Sequence, residues 1–391
     1  MKFTLPLLLA LLLPLCAQAK INNAVPPPAL PDSTPGQGLK LSATAYLLYD
    51  YSSKQILLEQ NSHDRIEPAS LTKLMTAYLT FAALKEGKIL LKQKVIPSAK
   101  AIRVHHADSR MFLDHKKPVS IDELIHGLII VSANDAARVL AETIAGSEEA
   151  FVEQMNKEAE RLGMHDTHFV NASGVPDPLH YSSAYDIALL TTAILNNFPE
   201  HFPLYAEREY DYNHVKGYNR NRLLWLDPYV DGMKTGHTES AGYCLVATAN
   251  RGNHRLISVL LGTPSESLRS SESQRLLNYG FQNFEMFHIY KHNETVRDIR
   301  IWKGTENTVK AGLRDGLTLT LPRGQRELIK ATVETQQPLL APIDNGQQVG
   351  VLKLTLDGKP YLERPLVALE SVPLVNVLSR GIDSIRMIFS R

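Results

Sequence analysis

A change of hydrophobic period limits this chain more than any other feature. Residues 242–250, "GYCLVATAN", and 254–262, "HRLISVLLG", alternate about "RGN" as two strands joined by a turn. Comparable β-favouring runs stand about two hundred residues earlier, where "ATAYLLYDY" and "KQILLEQ" flank "SSK" as a hairpin. Helical spacing fills most of the interval. A sheet drawing strands from both ends, with helices between them in sequence, requires distant segments to close on each other. The pattern predicts one mixed α/β domain over about residues 40–285, an antiparallel sheet with helices.

Within that domain Pro68 precedes a helical pattern from about Ser70 to Leu84, ended by Gly87. Ser120 and Glu123 form a capping-box signature before a helix to about Ile129. A second helix runs from about Asp135 to Ile144, and the break between them falls at "VSAN". Ser147 can cap a helix over 148–162, and Ser183 one to about Asn196. Residues 163–182, "GMHDTHFVNASGVPDPLHYS", read as a long loop by their glycines and prolines. The stretch "ESLRSSESQRLLNYGF" returns to a helix.

Four segments flank this domain. Residues 1–19, "MKFTLPLLLALLLPLCAQA", have the lysine, leucine-rich run and Ala-Gln-Ala end of a secretory signal peptide, with cleavage expected before Lys20. An uncleaved anchor is the competing reading, for which the apolar run is short; Leu15 before Cys16 argues against lipidation. Residues 20–39 are an extended, proline-rich leader. Residues 286–373 hold short alternating segments split by Gly, Pro and Asn, the mark of a small β-sandwich as a second domain. In 374–391, Leu374, Val375, Leu378, Ile382, Ile385, Ile388 and Phe389 recur at helical steps with Arg380, Asp383, Arg386 and Arg391 between them. An amphipathic helix of that kind suits a membrane surface, with docking on the protein's own core as the alternative.

Charge and cysteine content exclude other classes. Loss of residues 1–19 takes Lys2 with it and leaves 41 basic against 41 acidic side chains, so no nucleic-acid partner is expected. Cys244 is then the single thiol; it cannot close an internal bridge and reads as a small buried hydrophobe.

The chemistry lies in three short stretches. "ASLTK" places Ser70 and Lys73 three apart, on one helical face and within reach of each other. A serine hydroxyl is a poor nucleophile until a base takes its proton, and a poorly solvated lysine can be that base. "SAN", 132–134, interrupts an apolar helical region with a hydroxyl and an amide, and "KTG", 234–236, leads into the strand pattern beginning near Gly242. S-x-x-K, a serine-x-asparagine element and K-T-G, in that order, are the signature of penicillin-binding proteins and serine β-lactamases. Ala133 stands where the handed-down β-lactamase pattern has aspartate.

With these motifs the chain resembles the serine D-alanyl-D-alanine carboxypeptidases, the low-molecular-mass penicillin-binding proteins that trim peptidoglycan. The resemblance extends to "THFVNASGVPDPLHYSSAYDIA" (167–188) and "DGMKTGHTESAGYCLVATA" (231–249) and covers nearly the whole chain. It implies a β-lactamase/transpeptidase-like catalytic domain and removal of the terminal D-alanine from peptidoglycan pentapeptide stems through a Ser70 acyl-enzyme that penicillins also form. By the same resemblance Ser70 is the nucleophile, Lys73 the general base and Ser132 a proton relay to the leaving group. Asn134 binds the substrate amide and steadies Lys73. Lys234 and Thr235 take the substrate carboxylate, Gly236 keeps the strand edge open for substrate, and the N–H groups of Ser70 and His237 form the oxyanion hole. No cofactor is implied. The implied setting is the periplasm, at the outer face of the inner membrane.

Two other functions compete with this one. A β-lactamase would need a group to activate the deacylating water, and 163–182 carries Asp166 and Asp177 but no glutamate. A silent peptidoglycan-binding scaffold would not need the catalytic trio. His105, His106 and Asp108 in "RVHHADSRMFLDH" suggest a metal at first sight, but their spacing fits neither H-E-x-x-H nor a finger pattern, and no metal site is expected.

Overall fold

The computed structural model describes residues 39–105, 108–335 and 337–376. The expected signal peptide, the leader and all but the first residues of the expected terminal helix lie outside them. Among the described residues no helix is long and apolar enough to cross a membrane.

Strands β1 (Ala45–Asp50) and β2 (Ile56–Gln60) pair with three later ones, β3 (Val230–Thr238), β4 (Gly242–Arg251) and β5 (His254–Thr263). The sheet is antiparallel in the order β2-β1-β5-β4-β3, and Ala45 faces Leu261 across its centre. Both faces are covered. Leu47, Val246 and Val259 point into a large core shared with the helical region, whereas Leu48, Leu245 and Leu260 pack with Leu276, Leu277 and Phe281. Burial on both faces explains why β1 reads as a nearly continuous apolar run.

The helices of this domain are α1 (Lys73–Lys85), α2 (Ile121–Ile129), α3 (Asn134–Ala145), α4 (Glu148–Arg161), α5 (Ala184–Asn197) and α6 (Glu266–Asn283). Serine hydroxyls cap four of them, Ser120, Ser147, Ser183 and Ser265 each accepting an N–H three residues on. Each cap satisfies a donor that a helix start otherwise leaves open, worth about 1 kcal/mol.

Three local expectations need correction. The helix expected from about Ser70 begins at Lys73, and Ser70 rides on a 3-10 turn, Ala69–Thr72, that has no side-chain cap. The K-T-G stretch leads into the strand at Gly242 as expected, but it is itself strand, inside β3 at the sheet edge. The segments Glu209–Tyr212 and Val215–Tyr218 form an unforeseen hairpin, turned by Asn213 and His214 at φ 52° and 64°. Left-handed residues at both turn positions suit a two-residue hairpin, but an Asn-His pair lacks the glycine that usually signals one.

The chain passes from α6 directly into a second, all-β unit: β6 (Phe284–Tyr290), β7 (Thr295–Trp302), β8 (Thr308–Gly312), β9 (Leu317–Pro322), β10 (Ile329–Thr335), β11 (Leu339–Leu340), β12 (Gln348–Leu356) and β13 (Lys359–Ala368). A two-stranded sheet, β6-β9, and a six-stranded one, β10-β12-β13-β8-β7-β11, share one separate core. Polar contacts join the unit to the tip of the β1–β2 hairpin. Thr320 Oγ1 donates to the buried Asp50 carboxylate at 2.8 Å, and the Thr320 N–H donates to Gln55 Oε1 at 2.7 Å. The Gln55 amide also donates to Tyr361 Oη at 2.9 Å.

Candidate active site

The three motifs come together at the β3 edge of the catalytic sheet. Ser70 is half-buried on its 3-10 turn, and Lys73 Nζ lies 2.8 Å from its Oγ. The lysine is 1% exposed, and its second hydrogen bond goes to the Ser173 carbonyl at 2.6 Å. Burial pushes the amine down to about 7, helped by the Arg220 charge and opposed by Asp108 and Asp135. A base near neutral pH, in contact with a hydroxyl, is the arrangement that nucleophilic activation needs.

Ser132 sits between α2 and α3 at φ 61°. Such a backbone is strained for a residue with a side chain, and strain of this kind recurs where a functional group must be aimed. Its hydroxyl accepts from Lys234 Nζ at 2.8 Å, and the same amine donates to the Thr235 carbonyl at 3.0 Å. Lys234 is 3% exposed, and burial together with Lys73, Arg220 and Arg269 holds its amine well below the usual range. Two arginines and two buried amines around one cleft make an anion the natural occupant, because a bound carboxylate would offset their mutual repulsion.

Asn134 opens α3 without capping it; the cap position is Ala133. Its N–H donates to the Ser109 carbonyl at 2.7 Å. The next residue, Asp135, accepts the N–H groups of Met111 and Leu113 at 3.1 and 3.2 Å and so fastens the facing loop. The expectation that Asn134 steadies Lys73 is not met: the hydrogen bonds of that amine go to Ser70 and Ser173. The Ser173 carbonyl of 163–182 holds the amine at 2.6 Å.

A Cβ at Gly236 would meet the Pro68 carbonyl oxygen at 2.8 Å and the Ser70 nitrogen at 3.2 Å. Its bare backbone therefore also makes room for the nucleophile's own turn. His237 follows with its ring exposed against Tyr243, centroids 4.0 Å apart. Glu67 ties the two backbone segments together, accepting from Thr238 Oγ1 at 2.7 Å and Ser240 Oγ at 2.5 Å.

Four groups at the site escaped sequence reasoning: Ser173, Glu67, Arg220 and Arg269. Arg269 carried a usable signal, since it shares the helical register of Ser273, Leu276 and Gly280 and so belongs to the buried face of α6. It is 4% exposed, and its guanidinium lies over the Tyr243 ring at 5.6 Å. Ser173 contributes a backbone carbonyl, which no side-chain pattern reveals.

Two cavities include residues of the site in their lining. One of about 200 Å³ is lined by Arg110, Phe112, Val131, Tyr210, Tyr218 and Arg220 among others, and one of about 390 Å³ by Arg103, Asp108, Asn134, Asn171, Ser173 and Asp177 among others. Among the described residues no group of three or more possible metal ligands occurs.

Known proteins are similar to this chain over most of its length. Residues 32–265 match the peptidase S11 family, D-alanyl-D-alanine carboxypeptidase, and residues 284–374 match the family described as penicillin-binding protein 5, C-terminal domain. The chain is 40% identical over 355 residues to D-alanyl-D-alanine carboxypeptidase DacC of Escherichia coli, covering 89% of each. The crystal structure of penicillin binding protein 5 from Haemophilus influenzae superposes with a TM-score of 0.83 at 41% identity, covering 85% of this chain and 98% of that one. Penicillin-binding protein D2 from Listeria monocytogenes, in its ampicillin-bound form, gives 0.57 at 31% identity over 62% of this chain and 98% of that one.

Proposed function

Since the chain belongs to the peptidase S11 family and is a D-alanyl-D-alanine carboxypeptidase of the serine penicillin-binding type, we propose that Ser70 is its nucleophile and that Lys73, Ser132, Asn134, Lys234, Thr235, Gly236 and His237 complete the site. One observation carries the reading: an amine held near neutral pH lies 2.8 Å from the serine oxygen.

Ser70 Oγ attacks the carbonyl carbon of the penultimate D-alanine while its proton passes to Lys73 Nζ. The oxygen that gains charge accepts the N–H groups of Ser70 and His237; donors of this kind are worth several kcal/mol where charge develops. As the C–N bond breaks, the leaving D-alanine nitrogen takes the Ser132 hydroxyl proton and Lys73 returns the proton it holds to Ser132, which leaves the amine neutral. Lys234 keeps its own protons and orients that hydroxyl along their 2.8 Å contact. Water then adds to the ester carbonyl and gives a proton to Lys73, which passes it to Ser70 Oγ as the C–O bond breaks. Lys234, Thr235 and the nearby arginines hold the substrate's terminal carboxylate, and a penicillin carboxylate would use the same groups. Asn134 receives the substrate amide.

Mass spectrometry after penicillin treatment tests the assignment. One adduct on Ser70, absent in Ser70→Ala, is expected; an adduct elsewhere would sink it.

We further infer export to the periplasm through 1–19 and attachment to the outer face of the inner membrane through 374–391. The leucine-rich N-terminus and the arginine-flanked apolar stripe support this reading. Deleting residues from 374 onward should move the exported protein to the soluble fraction, and continued sedimentation with membranes would count against the anchor.

A further inference from the structure

The loop 163–182 carries a buried histidine that the mechanism above does not use. His180 is 2% exposed, and its two ring nitrogens face two different segments. Nδ1 accepts the Val170 N–H at 3.0 Å, so the ring proton belongs on Nε2, which lies 2.7 Å from Thr72 Oγ1. Burial pushes the imidazole down to about 4, so the neutral ring and this proton placement hold across the working range. Thr72 is fully buried between the serine and the lysine of the reacting pair.

The segment that His180 braces is the one that touches Lys73. Its Ser173 carbonyl accepts from Lys73 Nζ at 2.6 Å, and its Ala172 carbonyl accepts from Thr76 Oγ1 at 2.6 Å. Gly174, at φ +83°, leaves no room for a side chain against the Ala69 carbonyl and the Thr72 hydroxyl. The loop thus lies directly on the turn that bears the nucleophile. Inside it the Asn171 side-chain oxygen accepts the Gly174 and Val175 N–H groups at 2.7 and 3.1 Å, which sets the curve but ties it to nothing outside. The imidazole supplies an outside tie from the far end of the loop, beside those that Thr76 and Glu148 make to Ala172.

We propose that His180 is a positioning residue for acylation: by donating to Thr72 it clamps the loop onto the nucleophile's turn and so keeps the Ser173 carbonyl on the Lys73 amine. The inference rests on the assignment of Ser70 and Lys73 as nucleophile and base. Loss of the clamp loosens the carbonyl, lets the amine drift from Ser70 and admits water to it. A displacement of about 1 Å between reacting groups is enough to cost about a hundredfold in rate. Hydration also returns the amine toward ordinary lysine behaviour, because burial is the main cause of its depression.

Two near-isosteric replacements separate the clamp from simple packing. In His180→Gln the amide reaches the Nε2 position and can still donate to Thr72. In His180→Asn it reaches only the Nδ1 position, keeping Val170 and losing Thr72. Acylation of the full-length protein by a fluorescent penicillin, and D-alanine release from a D-Ala-D-Ala peptide, are measured on the fraction folded by thermal melting. His180→Gln should stay within about threefold of wild type. His180→Asn should lose about thirtyfold or more in acylation rate and kcat with KM within about threefold, and its rising pH limb should move to higher pH. If His180→Asn does not fold, Thr72→Val removes the other partner at nearly constant shape and should show the same loss. Wild-type acylation in His180→Asn or Thr72→Val, or equal losses in the Gln and Asn variants, would overturn the clamp. Failure of the wild-type protein to form a Ser70 adduct would instead overturn the assignment of the site on which the clamp rests.

Discussion

Replacing Arg220 by glutamine removes a positive charge that lowers the Lys73 amine, and replacing Asp108 by asparagine removes a negative charge that raises it. The two changes should therefore displace the pH dependence of acylation in opposite directions. In the wild type the amine titrates at about 7 rather than at the ordinary 10.5. At neutral pH an ordinary lysine is unprotonated about once in three thousand molecules, whereas this one is unprotonated in about half. Burial thus supplies about a thousandfold more competent base, equivalent to about 4 kcal/mol of barrier. The assay is single-turnover acylation by a fluorescent penicillin between about pH 5.5 and about pH 10, with the midpoint of the rising limb read separately from the plateau. The wild-type limb should rise through about pH 7, the Arg220→Gln limb should lie higher and the Asp108→Asn limb lower. Any loss of carboxylate binding in Arg220→Gln changes the concentration dependence and leaves the midpoint readable. A wild-type rate that is flat across this range, a midpoint near ordinary lysine, or both variants moving the same way would refute the argument.

Three further outcomes follow from the same geometry. Gly236→Ala must push a methyl carbon against the Pro68 carbonyl at 2.8 Å, a backbone atom, so acylation should fall about a hundredfold or more with a loss of about 1–3 kcal/mol in stability, read by stopped flow and by melting. Lys73→Met should abolish acylation yet raise the melting temperature at neutral pH. The folded amine binds its proton more weakly than the unfolded one, so the wild type gains stability as pH rises from about 7 to 10.5, and Lys73→Met should lose that gain. Glu67→Ala frees Thr238 and Ser240 from the nucleophile's side of the site. It should lower kcat about tenfold with little change in KM, because oxyanion donors act mainly on the transition state; a change confined to KM would contradict the role.

Period and capping made much of the architecture legible in advance. The serine caps at Ser120, Ser147 and Ser183 mark three helix starts in both sequence and structure. The apolar runs in 242–262 mark β4 and β5, which are buried on both faces through their middles. The start of α1 was misread because Pro68 and the following apolar residues look the same whether the first turn is α or 3-10; tight packing against Gly174 and Gly236 accompanies the tighter turn. β3 was missed in part because "DGMKTGHT" mixes glycine, charge and hydroxyl where a strand is expected to alternate. The side chains of the site were legible as motifs. Their support was not: Ser173 acts through a carbonyl, and Glu67 and His180 act across folds of the chain that spacing cannot display.

The second unit is fastened to the β1–β2 hairpin, while the K-T-G strand forms the opposite margin of the same sheet. Four strand-to-strand intervals of about 4.8 Å set these margins about 19 Å apart. Mechanical load arriving through the C-terminal unit enters through α6, which packs on β4 and β5, and through the margin remote from Ser70, and is shared between them before it reaches β3. A tug that would unzip a catalytic strand if applied at its own end is here spread as shear through the whole sheet, so the cleft can hold its shape while the far end of the protein is pulled.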